Sequence, residues 1–405
     1  MRPDLDPTTA GETVGRPLQL AVITETYPPE INGVANTMRQ LVLGMERRGH
    51  RVHVVRPRQA GDPRPGEAQR GGETLVPGLP IPGYRGLRFG LPVFWRLRRL
   101  WRRERPDLVY IATQGPLGHA ALRAARASTT AAVTGFHTQF DQYSQHYGLG
   151  ILTQPIERTL RKFHNSSDAT LVPTAELRDR LVGRGFSNVQ VFGRGVDTEH
   201  FAPQRRRDAL RAAWGCGRHD LVLLYVGRVA AEKNIDLILA TLGAARSAVP
   251  GIRGVLVGDG PELARLRRTH PEWVYTGAKV GVELAEHYAS ADLFVFPSLT
   301  ETFGNVVPEA MASGLAVVAF DYAAAHKHVR HGVNGWTVAQ GDSDAFIAAA
   351  VAAVRDPGRL RRLGAEARAT AEALGWDRVI EAVERRLLEV IARRSLDGAA
   401  LAPQR

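Results

Sequence analysis

The chain has 405 residues, 44% of them hydrophobic and 23% charged, with a formal net charge of +12 and a single cysteine, Cys216. That length favours two domains over one core, and a lone cysteine excludes an internal disulfide and a cysteine zinc cluster. The positive charge suits nucleic acid, an anionic membrane surface or a phosphorylated ligand, and does not by itself choose among them.

Residues 1–17 are polar and rich in Pro, Gly, Thr and Asp, without a charged start followed by an apolar run. They read as a disordered tail, not a signal peptide. No stretch approaches the roughly 18 uninterrupted apolar residues of a membrane span, so a cytoplasmic location is expected. Leu18 to Ile23 has the length and composition of a strand. A loop, Thr24 to Gly33, separates it from a helix at Val34 to Arg48, whose Val34, Met38, Leu41, Val42 and Met45 share one face. Gly49 ends that helix, and Arg51 to Val55 is the next strand, completing a right-handed βαβ unit. The alternation continues with strands at Asp107 to Ala112, Ala131 to Phe136, Ala169 to Pro173 and Val189 to Phe192, and helices at Gly118 to Ala127 and from Ala175.

Phe201 to Arg207, with Pro203 and three consecutive arginines, reads as a polar linker, after which the pattern restarts. Strands are expected at Leu221 to Val226, Gly254 to Gly258, Trp273 to Thr276, Leu293 to Pro297 and Ala316 to Phe320. Helices are expected at Ile235 to Ala248, Pro261 to Thr269, Val282 to Ala289, Val306 to Ser313 and, amphipathic and long, Trp376 to Arg394. Two βα series imply two doubly wound α/β domains, 18–200 and 201–375, with a helix at 376–395 and a ligand cleft beyond the carboxyl ends of the strands.

Several residues near those strand ends have the chemistry for a phosphorylated sugar. Asn32-Gly33-Val34 lets the backbone approach a ligand at a helix start, or merely makes a turn. The full GxGxxG fingerprint is absent, which argues against a simple dehydrogenase. Arg228 and Lys233 follow the strand ending at Val226 and suit a diphosphate leaving group, although surface cations are common. In Glu301-Thr-Phe-Gly-Asn-Val-Val-Pro-Glu309, backbone N–H groups at the helix start could meet a phosphate and the two carboxylates could accept hydrogen bonds from hydroxyls. His137 follows a strand in Gly135-Phe-His-Thr138, and Tyr143, His146 and Tyr147 follow it; either sugar contacts or ordinary packing accounts for them.

Taken together, these segments resemble the family-4 retaining glycosyltransferases of the two-domain GT-B fold. The likeness is carried by Glu25-Thr-Tyr-Pro-Pro-Glu-Ile-Asn-Gly-Val-Ala35, Gly135 to Thr138, Gly193-Arg-Gly-Val-Asp197, Val226-Gly-Arg-Val229 with Lys233, Val257-Gly-Asp-Gly-Pro261, and Glu301 to Glu309, in that order over nearly the whole chain. The resemblance implies an N-terminal acceptor domain and a C-terminal nucleotide-sugar domain, with the last helix crossing back to the first. It implies that Gly33 lies by the donor, that Arg228 and Lys233 bind the diphosphate, and that Glu301 contacts the donor sugar. Backbone groups of Phe303, Gly304, Asn305, Val306 and Val307 would lie nearby, and Glu309 would bind the ribose. His137 would sit by donor and acceptor, with Asn32 and Tyr143 on the acceptor side. The implied reaction transfers mannose or glucose from GDP-mannose or UDP-glucose to a lipid or glycan, giving an α-linkage without a metal. Asp342-Ser-Asp344 is expected to cap a helix and not to bind metal.

One segment departs from the family pattern. Where members carry a Gly-Gly-x-Pro-Glu-like stretch, this chain has Asp321-Tyr-Ala-Ala-Ala-His-Lys-His328, in which His326 and Lys327 either add polar contacts near the ligand or form a surface turn, the turn being favoured. Tyr84 to Arg105 holds eight arginines against Glu104, with Val93, Leu97, Leu100 and Trp101 at helical spacing. That is the signature of a peripheral helix on an anionic membrane, or of a packed helix with a solvated basic face. No nucleic-acid module is visible. A sugar phosphorylase of the same fold and a non-catalytic sugar-nucleotide-binding protein are the remaining alternatives.

Overall fold

The computed structural model describes residues 16–30, 32–59, 61–62, 72–80, 88–137, 153–217 and 219–400. The tail at 1–15 and the segment carrying Tyr143, His146 and Tyr147 lie outside the described residues.

In the N-terminal half, strands β1 (Gln19–Ile23), β2 (Arg51–Pro57), β3 (Glu73–Val76), β6 (Leu108–Ile111), β7 (Ala131–Gly135), β8 (Ala169–Val172) and β9 (Val189–Val191) form one parallel sheet in the order β3-β2-β1-β6-β7-β8-β9. A small antiparallel pair, β4 (Gly78–Pro80) and β5 (Arg88–Gly90), lies outside it. The central strands are buried along their length, as expected when helices cover both faces of a parallel sheet. Those helices are α1 (Gly33–Arg47), α2 (Phe94–Glu104), α3 (Pro116–Ala127), α4 (Thr153–Asn165) and α5 (Ala175–Gly183). The order in which successive strands are added switches sides between β1 and β6, which are parallel, so the loops after those two strands flank the crevice where doubly wound sheets bind ligands.

The C-terminal half repeats the plan. Strands β10 (Val222–Val226), β11 (Arg253–Val257), β12 (Val274–Gly277), β13 (Leu293–Phe296), β14 (Ala316–Phe320) and β15 (Gly335–Val338) are parallel in the order β12-β11-β10-β13-β14-β15. Its helices are α6 (Asp208–Ala213), α7 (Ile235–Ala248), α8 (Leu263–Thr269), α9 (Gly281–Ala289), α10 (Val306–Ala312), α11 (Ala323–His328), α12 (Ser343–Arg355) and α13 (Pro357–Glu372). The last helix, α14 (Trp376–Ala400), turns Trp376, Ile380, Val383, Leu387 and Val390 into the core that Met38, Leu41, Val42 and Met45 of α1 build in the other half. That spacing is one helical stripe, and each buried side chain contributes roughly 1.5–3 kcal/mol.

Several readings of the sequence need correction. Phe201 to Arg207 is not a free linker: Arg206 donates to Asp292 at 3.1 Å, Arg207 pairs with Glu286 at 2.9 Å, and α6 follows at once. Those contacts span some eighty positions, which no local pattern reveals. The Asp321 to His328 stretch is not a surface turn but α11, with Ala323, Ala324 and Ala325 buried. Three alanines lack the bulk that marks a core face, so burial there was not visible in composition. Strand β15 and helices α4 and α13 are additional elements that the sequence pattern did not mark. Asp342 accepts a hydrogen bond from Ala345 N at 3.0 Å, capping α12 as its position implied.

Candidate active site

The C-terminal face of the second sheet is shaped by close backbone approaches. A Cβ on Gly258 would lie 1.8 Å from the Gly227 carbonyl oxygen, and one on Gly260 would lie 2.2 Å from that of Val229. The loops after β10 and β11 are therefore pressed together, and only glycine fits at those two positions. The Tyr225 hydroxyl, buried beneath them, donates to the Arg228 carbonyl at 2.7 Å and fixes the turn that carries Arg228. The Arg228 guanidinium pairs with Glu232, four residues on.

Lys233 lies at the end of a short 3₁₀ turn and is 8% exposed. Its ammonium donates to Ser298 Oγ at 3.3 Å and to the Thr300 carbonyl at 3.2 Å, and pairs with the Glu301 carboxylate. Ser298 Oγ also donates to Glu301 at 2.8 Å. The loops after β10 and β13 are thus joined by a buried cation and a carboxylate that sequence placed 68 positions apart.

Gly304 has φ +86°, a backbone conformation that favours glycine, and it turns the chain into α10. The Phe303 carbonyl accepts from Ala324 N at 2.8 Å, and the Tyr322 hydroxyl donates to the Glu301 carbonyl at 2.8 Å. The segment around α11 therefore holds the Glu301–Gly304 loop in place. Val307 N donates to Gly304 O at 3.1 Å, and Val306 begins the helix. Glu309 accepts a hydrogen bond from the buried Tyr288 hydroxyl at 3.0 Å, and burial pushes its carboxyl up to about 7.

Across from this face lies the first turn of α1. Asn32 caps the helix, its Oδ1 accepting from Ala35 N at 2.8 Å while its amide donates to Thr26 Oγ1 at 2.6 Å. Gly33 is where the halves meet: the Asn305 amide donates to its carbonyl at 3.4 Å, and a Cβ on Gly33 would lie 3.3 Å from that nitrogen. Gly33 and the Glu301–Glu309 element, 272 positions apart, are brought together.

His137 is buried over Gly135, between two partners. Its Nδ1 accepts from Arg194, which leaves the proton on Nε2 to donate to the Tyr110 oxygen at 3.0 Å. Burial, with the Arg194 charge, holds its pKa well below the usual histidine value, so the ring is neutral. Two further groups went unassigned in the sequence. Glu25, at the end of β1, accepts from Leu117 N at 3.1 Å at the start of α3, and burial raises its carboxyl to about 7. Its position directly after a strand was the available signal. Arg194 lay within a quoted motif, but its burial depends on long-range packing.

Beyond β6, a groove of about 560 Å³ is lined by Pro92, Phe94, Gly115, Pro116, His119 and Arg123, between α2 and α3. Leu97 and Trp101 of α2 are buried against the sheet, whereas Trp95 is 75% exposed and shares the outer face with Arg96, Arg99, Arg102 and Arg103. Among the described residues no helix is long and apolar enough to cross a membrane, and no three Asp, Glu, His or Cys side chains converge as metal ligands.

Comparison with known proteins matches residues 31–200 to the Glycosyltransferase Family 4 model and residues 220–356 to the model described as Glycosyl transferases group 1. The chain is 36% identical to a GDP-mannose-dependent alpha-mannosyltransferase of Mycobacterium tuberculosis, over 75% of this chain and 79% of that protein. It is 32% identical to a protein of the same name from Mycolicibacterium smegmatis, over 94% of this chain and 100% of that one. Sucrose-phosphate synthase of Thermosynechococcus elongatus superposes with a TM-score of 0.72 at 18% identity, covering 93% of this chain and 100% of that structure; this likeness speaks to the fold alone.

Proposed function

The chain belongs to the family 4, group 1 glycosyltransferases, and from that premise we propose that it transfers mannose from GDP-mannose to a lipid acceptor with retention, forming an α-linkage at a membrane surface. The observation that carries the reading is the convergence at one cleft of Lys233, Glu301, the Gly304 turn and Gly33. The 36% and 32% identities to two GDP-mannose-dependent alpha-mannosyltransferases favour mannose and guanine over the glucose and uracil pair.

In this reading Arg228 and Lys233 face the diphosphate and neutralise charge as the bond from sugar C1 to phosphate oxygen breaks. The acceptor oxygen attacks C1 from the same face, and its proton passes to the departing phosphate oxygen. Glu301 orients the sugar hydroxyls, releasing part of its hold on Lys233 as the diphosphate arrives. Backbone groups of Phe303, Gly304, Asn305, Val306 and Val307 line the phosphate and sugar, with Gly33 opposite. Glu309 accepts from the ribose hydroxyls. Neutral His137, Asn32 and Tyr143 are the acceptor-side residues. The outer face of α2, with Trp95 and four arginines, suits an anionic membrane and supports a peripheral position upon it.

A thermal-shift panel with GDP, UDP, ADP and their sugars tests the donor assignment. A ligand that binds only the folded state raises Tm. The expected result is the largest shift with GDP and GDP-mannose, lost in Glu309→Ala. A folded protein unmoved by any nucleotide at millimolar concentration would contradict a donor-binding transferase, and a shift confined to UDP would overturn the base.

A further inference from the structure

The Asp321 to His328 stretch, where this chain departs from the family pattern, carries a histidine set between two acids. His326 sits on α11 with Nδ1 2.9 Å from the Asp321 carboxylate and Nε2 3.1 Å from that of Glu176. Asp321 belongs to the C-terminal half, where its backbone N–H donates to the Val338 carbonyl of β15 at 2.7 Å. Glu176 belongs to the N-terminal half, in the first turn of α5. One imidazole ring therefore joins the two halves through a carboxylate on each.

Protonation decides whether that join is complete. A neutral imidazole has one N–H, so it donates to one acid and turns a lone pair towards the other; only the imidazolium donates from both nitrogens. The other charged groups around the ring are Lys327, which also feels Glu176, and Arg194 behind it. Burial, and then the Arg194 charge, holds the Lys327 amine below the usual lysine range. His328 on the same helix is held at about 4 by burial and Lys327, so it stays neutral where histidines ordinarily titrate.

The α11 segment also props the donor loop. Ala324 N donates to the Phe303 carbonyl and the Tyr322 hydroxyl to the Glu301 carbonyl, each at 2.8 Å. The His326 bridge thus fastens the N-terminal half to the segment that sets Glu301 and Gly304. The Asn305 amide, which reaches the Gly33 carbonyl at 3.4 Å, makes a second crossing from the same loop.

We propose that His326 is a positioning residue, an imidazolium that latches α5 to α11 and closes the halves on the Glu301–Gly304 loop, so that closure weakens as pH rises through the histidine range. The bridge is complete in mild acid, where the ring carries both protons and the carboxylates are charged, and it loses one arm as the ring deprotonates. Its bearing on sugar transfer rests on the transferase reading above.

The first test reads a distance and needs no turnover. In the full chain with Cys216→Ser, nitroxide labels on Val182→Cys of α5 and Val333→Cys beyond α11, both exposed positions, report the separation of the two elements by double electron–electron resonance. With His326 in place, one short distance is expected at pH 6 and a second, longer population at pH 8. His326→Gln, which carries no charge, gives the longer population at both pH values, and His326→Arg, charged throughout, gives the short one at both. A distribution unchanged between pH 6 and pH 8, a pH response that survives in His326→Gln, or an arginine variant that opens as the glutamine variant does overturns the proposal. The positioning role is read in kcat/KM for GDP-mannose. The wild type should exceed His326→Gln by about two- to fivefold at pH 6, the worth of an exposed ion pair, and by little at pH 8. Glu25 and Glu309, each raised to about 7, are common to both proteins and cancel in that ratio. A ratio that stays flat with pH overturns the positioning role. Labels that respond while no sugar is transferred support the bridge and contradict the transferase reading instead.

Discussion

Glu309 shows how one carboxyl can be costly to the fold and useful to a ligand. Its pKa rises from 4.5 to about 7 because burial disfavours the charged form more than the Tyr288 hydrogen bond restores it. Between those values the folded state binds more protons than the unfolded one, so the contribution of Glu309 is fully present in acid and is lost as pH rises through about 7. The loss is on the order of 3 kcal/mol if the whole shift is realised. Glu309→Gln removes this dependence. Its Tm should exceed that of the wild type by a margin that grows from pH 5 to pH 8, a comparison in which the similarly raised Glu25 cancels. A margin independent of pH would show that the carboxyl is not buried as described. The motif made Glu301 and Glu309 legible in the sequence, but their partners were not. Lys233, Ser298 and Tyr288 meet them only because strands ending at one sheet edge bring distant loops together. The burial of Arg194 against His137 was invisible for the same reason.

Two elements carry testable consequences of their own. The Gly227 and Gly258 turns touch so closely that Gly258→Ala must separate the loops after β10 and β11. Overpacking of this kind costs about 1–3 kcal/mol, and here it also displaces the turn that holds Arg228. The expected outcome is a lowered Tm together with weakened GDP affinity by calorimetry; a variant with wild-type nucleotide binding would argue against that placement. The α2 helix was readable from Val93, Leu97, Leu100 and Trp101, and the structure sorts its faces, with Leu97 and Trp101 inside and Trp95 outside. Full chain should sediment with anionic vesicles and not with zwitterionic ones. Replacing Arg99, Arg102 and Arg103 by Gln should lower the partition coefficient by about a hundredfold, at roughly 1 kcal/mol per basic residue. Equal partition into both vesicle types would return α2 to a packed helix with a solvated basic face. By contrast, α13 was missed although Asp356 and Pro357 supply a capping residue and a first-turn proline. Its apolar stripe is largely alanine and glycine, so periodicity had little to register.

At the scale of the whole molecule, the two βα series were legible because parallel strands buried on both faces leave continuous apolar runs. That the last helix crosses back to the first half was implied only by the family resemblance, and the contacts that seat it, between residues hundreds of positions apart, were not readable from local pattern. Chief among them, Ile380 of α14 packs so close to Gly44 that a Cβ there would lie 2.5 Å away. His50 and Arg48 hold Glu384 of the same helix. Gly44→Leu should therefore speed hydrogen–deuterium exchange across residues 376–395 while sparing the C-terminal sheet; unchanged exchange would show that α14 does not depend on this contact. The arrangement gains its chemical meaning if a sugar leaves a nucleotide on one half for a hydroxyl on the other. The most direct test is release of nucleoside diphosphate from GDP-mannose by the full chain, with and without diacylglycerol-based acceptor lipids, using Lys233→Ala as control. The account predicts GDP release that requires an acceptor, yields an α-linked mannosyl lipid and collapses in the variant. Acceptor-independent release, a β-linked product or undiminished activity without Lys233 would contradict it.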